Sequence, residues 1–101
     1  MMSRRHINRV ILIGEVAQDP EPGRLGDGTP IVTLVLATGD DRHRVRVLDE
    51  RLAKVARDYV RRGALLYLCG AVHVGAGGGA EIVVPPYRGE LQMLDRRDRD
   101  T

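Results

Sequence analysis

The chain has 101 residues, of which 43% are hydrophobic, and 16 Lys and Arg stand against 14 Asp and Glu for a formal net charge of +2. That length suits a single domain, and no apolar run approaches the roughly 20 residues that a helical membrane span needs. With no Trp and no Phe the core has to be aliphatic, and the single cysteine, Cys69, excludes an internal disulfide. In chain order, residues 10–14 form an apolar run of strand length. Residues 19–30 hold Pro20, Pro22 and Pro30 with Gly23, Gly26 and Gly28, which marks a loop or hairpin connection. Residues 31–38 read as a second strand with Val32, Leu34 and Leu36 on one face, and Gly39-Asp40-Asp41 as a tight hairpin turn.

The third predicted strand, 42–48, is the most legible. Alternation puts Arg42, Arg44, Arg46 and Leu48 on one face and His43, Val45 and Val47 on the other. Asp49 is suited to cap a helix within 49–63 whose apolar stripe would run Leu52, Val55, Ala56, Tyr59, Val60, with Gly63 at the stop. Residues 65–74 make a fourth strand and residues 75–79 a glycine-rich turn. A fifth strand starts at 81–84, is broken by Pro85-Pro86 and resumes over 91–94. Three strands, one helix and two strands predict an all-β domain with one helix, the five-stranded Greek-key barrel of an OB-fold. It would span residues 1–94, with 95–101 a short frayed segment.

Positive charge is localised. Residues 1–14 carry three Arg and no acid, residues 15–41 six acids against Arg24, and residues 42–48 three Arg and no acid. Three arginines on one side of one strand cannot be buried unpaired, at several kcal/mol each, so that face must meet water, acids or phosphate. A guanidinium donates in a planar fork that fits phosphate and also stacks on bases. Asp40 and Asp41 are the nearby acids that could pair with it instead.

An ordered series of short strings carries a resemblance: Asn8-Arg9-Val10-Ile11-Leu12-Ile13-Gly14, Asp19-Pro20, Gly28-Thr29-Pro30, Leu36-Ala37-Thr38, His43-Arg44-Val45, Leu52-Ala53, Tyr59-Val60-Arg61-Arg62-Gly63, Tyr67-Leu68-Cys69-Gly70 and Glu81-Ile82-Val83-Val84. Over residues 7–94 the chain resembles the bacterial single-stranded DNA-binding protein family. The resemblance implies an OB-fold and non-catalytic binding of single-stranded DNA, with RNA as an alternative strand, in replication, recombination or repair. It also implies a homodimer or homotetramer. Arg42, Arg44 and Arg46 would track the backbone, Arg5, Arg9 and Arg62 would form a wider rim, and Leu48 would give apolar contact. His43, Val10 and Leu12 would lie at subunit contacts.

The departures matter as much. Where the family stacks bases on aromatic rings, this chain has Arg42 and Leu48, a glycine-rich segment at 75–79 and a shortened loop at 39–41. Tyr59 is expected on the buried helical stripe and Tyr67 at a core position, which leaves Tyr87, in an insertion, as the exposed ring. Stacking is worth about 1–3 kcal/mol per base, so arginine–phosphate contacts would have to replace it and binding would depend steeply on salt. The chain stops soon after Leu94, so recruitment of repair enzymes through an acidic tip is not expected. Shortness without a tail also resembles primosomal replication protein N, which suggests the alternative of a structural or protein-interaction module with little DNA affinity.

His6, His43 and His73 are too scattered for a metal motif, and no cofactor is expected. Gly75-Ala76-Gly77-Gly78-Gly79-Ala80 fits G-x-G-x-x-A formally but leads into a strand, so it reads as a hairpin loop rather than a dinucleotide site. No arrangement of residues suggests an enzyme. Arg4 and Arg5 precede no apolar h-region, so a cytoplasmic, nucleoid-associated protein is the expectation.

Overall fold

Residues 6–94 are described by a computed structural model. In chain order they form β1 (Val10–Val16), β2 (Glu21–Arg24), β3 (Pro30–Thr38), β4 (Asp41–Val47), α1 (Glu50–Tyr59), β5 (Leu65–Val74), β6 (Ala80–Val84) and β7 (Glu90–Met93). β1 runs antiparallel to β5 from Val10↔Gly70 to Glu15↔Leu65, then passes to β3 at Glu15↔Ala37 and Val16↔Leu36. β3 and β4 form the central hairpin, β4 pairs in parallel with β6, and β6 pairs antiparallel with the second half of β5. The circuit β1–β3–β4–β6–β5–β1 is closed, which is the five-stranded barrel that the strand order predicts.

Closure depends on two glycines at the places where strands change partners. A Cβ on Gly14 would collide with the carbonyl oxygen of Ala37, and one on Gly70 with the carbonyl oxygen of Val83. A side chain at either corner would push two backbones apart. The interior is aliphatic, as expected. Val16, Val32, Leu34, Leu36, Val45, Val47, Leu66, Leu68, Ile82 and Val84 are buried, and Ala53, Ala56 and Val60 close one side.

Two elements differ from expectation. β2 lies inside the expected 19–30 loop, although all four of its residues are exposed. It is recruited by the edge of β3, in register from Glu21↔Thr33 to Arg24↔Pro30, and an outer strand tolerates Pro22. α1 is shorter than predicted, and Val60 leaves it in extended conformation. Its buried side is Ala53 and Ala56, with Val60 just beyond. Tyr59 is 67% exposed and Val55 also faces solvent. The expected stripe followed the larger side chains, whereas α1 packs against β3 through small ones. Gly63, at φ 91°, belongs to the next turn, where Ala64 N–H reaches Arg61 O at 3.0 Å.

Asp49 caps α1 as expected, and it also holds a second segment. One carboxylate oxygen accepts the Leu52 N–H and the other the Tyr87 N–H, each at 3.1 Å. Burial pushes this carboxyl up, but the N–H groups of Tyr87 and Leu52 outweigh it, so it ionises below its ordinary value of 3.8. A group with a depressed folded pKa stabilises fully above its unfolded value, about 3.9, and loses that contribution as pH falls through the folded value. Asp49→Ala is expected to cost about 1–3 kcal/mol at neutral pH from the lost cap and an unpaired N–H. Urea unfolding of both proteins should show that gap narrowing below about pH 4.

Candidate nucleic-acid interface

Alternation along β4 turns Val45 and Val47 into the barrel, which leaves Arg42, Arg44 and Arg46 on the outer face. Their neighbours are short. Across the β3–β4 ladder Arg42 faces Ala37, Arg44 faces Val35 and Arg46 faces Thr33, and on the other side Val83 of β6 pairs with Arg46. The guanidinium groups therefore stand above a low, partly apolar floor. Outer faces of this hairpin and the loops beside it are where OB barrels take oligonucleotides.

One carboxylate intrudes. Glu81 on β6 meets Arg44 Nε at 3.6 Å and Arg46 Nη1 at 3.3 Å. Arg42 makes no ion pair among the described residues, and neither do Asp40 and Asp41, the partners considered from sequence. Three guanidinium groups against one carboxylate leave the row net positive. The pair with Arg44, whose side chain is 65% exposed, is worth at most about 1 kcal/mol. A phosphate can displace it. Arg46 is half-buried and held more firmly.

The remaining candidates are spread out. Leu48 continues the row, half-buried, with its N–H on Val84 O at 2.9 Å. Arg9 precedes β1 beside Asn8, whose amide brackets the backbone of Val72 at 2.8 and 2.9 Å. Arg62 follows α1, where its backbone N–H reaches Asp19 Oδ1 at 2.8 Å and Gly63 N–H reaches Val16 O. Arg9 and Arg62 thus flank opposite ends of a seven-residue strand, about 23 Å apart, and do not form one cluster. Arg5 lies outside the described residues.

For the subunit-contact candidates, Val10 and Leu12 are partly buried against the core, while Ile11 and Ile13 of the same strand are exposed. The signal was present in the unbroken apolar run of β1, which fits apolar surroundings on both faces rather than one. His43 is half-buried, with Nε2 2.7 Å from Thr38 Oγ1. Tyr67 is not a core residue. It is half-buried on β5, and its hydroxyl donates to Glu90 Oε1 at 2.7 Å, which raises its pKa.

A closed barrel of this topology with a basic hairpin face is matched by sequence as well. The model of the single-strand binding protein family matches residues 7–76. The chain belongs to this family. It is 37% identical over 113 aligned positions to a single-stranded DNA-binding protein of Rhizobium meliloti, covering 90% of this chain and 65% of that relative's length. The chain thus spans slightly under two thirds of that relative.

Solved structures agree with the fold. The Plasmodium falciparum SSB in complex with ssDNA superposes with a TM-score of 0.81 at 27% identity, covering 89% of this chain and 96% of that one. The Saccharomyces cerevisiae mitochondrial single-stranded DNA-binding protein Rim1 gives 0.78 at 14% identity, covering 90% and 97%, and at that identity speaks for the fold alone. Among the described residues no helix is long and apolar enough to cross a membrane.

Proposed function

We infer that this protein binds single-stranded DNA without catalysis, serving replication, recombination or repair in the cytoplasm at the nucleoid. Arg42, Arg44 and Arg46 contact phosphates, Leu48 adds apolar contact, and Arg5, Arg9 and Arg62 act at the rim. The supporting observation is the outward row of three guanidinium groups on the β3–β4 hairpin with a single carboxylate among them. RNA offers the same phosphates and is a competing ligand. Oligomerisation as a dimer or tetramer, with His43, Val10 and Leu12 at the contacts, draws support from the exposed apolar pair Ile11 and Ile13 on the same strand as Val10 and Leu12.

Fluorescence anisotropy with labelled oligo-dT, titrated at low and at physiological salt, tests the reading. Binding should weaken steeply as salt rises. Absence of binding at low salt would favour the second reading, a structural or interaction module with little DNA affinity. That alternative draws on Glu81 engaging two of the three arginines and on the lack of Trp and Phe.

Glu81→Gln separates the two further. Removing the internal counter-charge releases Arg44 and Arg46, so affinity for oligo-dT at low salt should rise about three- to tenfold. An unchanged affinity would mean that these arginines do not touch the strand.

A further inference from the structure

We propose that Tyr87 is a base-stacking platform which, with Leu48, holds one unpaired nucleobase at the end of the arginine row. The proposal rests on the strand-binding reading and deepens it. Tyr87 is 95% exposed, so its ring contributes little to the fold. Yet its backbone sits at φ 66°, the one described residue other than glycine with positive φ, in a region that bulky residues adopt at a cost.

That conformation is firmly held. Asp49, itself buried at the start of α1, accepts the Tyr87 N–H at 3.1 Å. Arg88 N–H reaches Pro86 O at 2.7 Å, and Gly89 N–H reaches Pro85 O at 3.1 Å. Pro85 and Pro86, which precede it, restrict the segment further. The ring is therefore presented from a braced backbone, and only its two side-chain torsions have to be ordered on binding.

Its surroundings indicate the ligand. Tyr87 lines a surface groove of ≈430 Å³ together with Leu48, Pro86, Thr29, Arg51 and the Asp49–Glu50 pair. Leu48 is the next outward residue after Arg46 on the β4 pleat, so the groove opens where the guanidinium row ends. An aromatic ring, a leucine and a proline suit a flat apolar ligand, and Arg51 can stack on one as well. Glu50 disfavours a phosphate there. A base attached to a backbone that runs along Arg42, Arg44 and Arg46 meets these requirements, and stacking accepts any base.

Two substitutions in the whole chain test this. Glycine adopts positive φ without strain, so Tyr87→Gly should melt at the same or a higher temperature. Its affinity for oligo-dT should nevertheless fall on the order of 5- to 150-fold, with an unchanged slope of log affinity against log salt, because the ring neutralises no phosphate. Tyr87→Phe should bind as wild type does. With no Trp in the chain, tyrosine emission is directly readable, and its quenching by oligo-dT should diminish in both Tyr87→Gly and Tyr87→Phe, which lack this fluorophore, while affinity falls in Tyr87→Gly only. Wild-type affinity and quenching in Tyr87→Gly would overturn the stacking site and leave strand binding standing. A reduced salt slope in that variant would overturn it too, since the segment would then be placing a cation. A wild-type protein that binds no oligo-dT would remove both the reading and the site.

Discussion

Gly70→Val is expected to lower stability by at least about 3 kcal/mol and to leave much of the protein unfolded. β5 turns at Gly70 from pairing with β1 to pairing with β6, and β6 passes so close that a Cβ would strike the Val83 carbonyl oxygen and lie 3.0 Å from its carbon. Over-packing between side chains costs about 1–3 kcal/mol because rotamers can adjust. Here the obstacle is backbone in the ladder that closes the barrel, and it cannot move without breaking hydrogen bonds. Gly14 meets the same limit against Ala37, so Gly14→Val should behave alike. Gly26→Ala, with nothing within 4 Å of its Cβ, is the control and should stay within about 0.5 kcal/mol. Urea midpoints compare the variants, and a tolerated valine at Gly70 would refute this account of closure.

Simultaneous replacement of Arg42, Arg44 and Arg46 by alanine is expected to have the largest effect on binding. Each phosphate contact to a single strand contributes about 0.7 to the slope of log affinity against log salt, so three contribute about 2. Extrapolated from 1 M salt, that slope corresponds to roughly 500-fold at 50 mM and roughly 50-fold at 0.15 M. Glu81 would remain as an unpaired negative charge on the face, so the quadruple variant with Glu81→Gln isolates the arginine contribution. Anisotropy titrations across salt give both slopes. Equal slopes for wild type and variant would place the strand on another face.

Most of the barrel was legible because its strands carry side-chain patterns. β5 spans the predicted 65–74, and β4 shows the alternation of charge and valine that assigned its faces. β2 was not legible, because Glu-Pro-Gly-Arg is a strand only through the hydrogen bonds of its neighbour. Tyr59 was misplaced because a helix that packs closely on a strand does so through alanines, which carry little weight in an apolar pattern. The ion pairs to Glu81 were hidden for a different reason. They depend on a parallel pairing of strands 35 residues apart, which no local pattern encodes.

The brace around Tyr87 has a consequence for how the chain tolerates change. β6 and β7 occupy successive stretches of the same β5 partner, and only residues 85–89 connect them. Each flanking ladder fixes its own registration, so the exposed tip of the connecting segment can change its side chains while the barrel stays in place, provided that a backbone N–H still reaches Asp49 and that residue 89 stays glycine, where a Cβ would collide with Val84 Cγ1. Variation there would retune ligand preference independently of architecture, and it offers a port for grafting new recognition sequences beside the basic face.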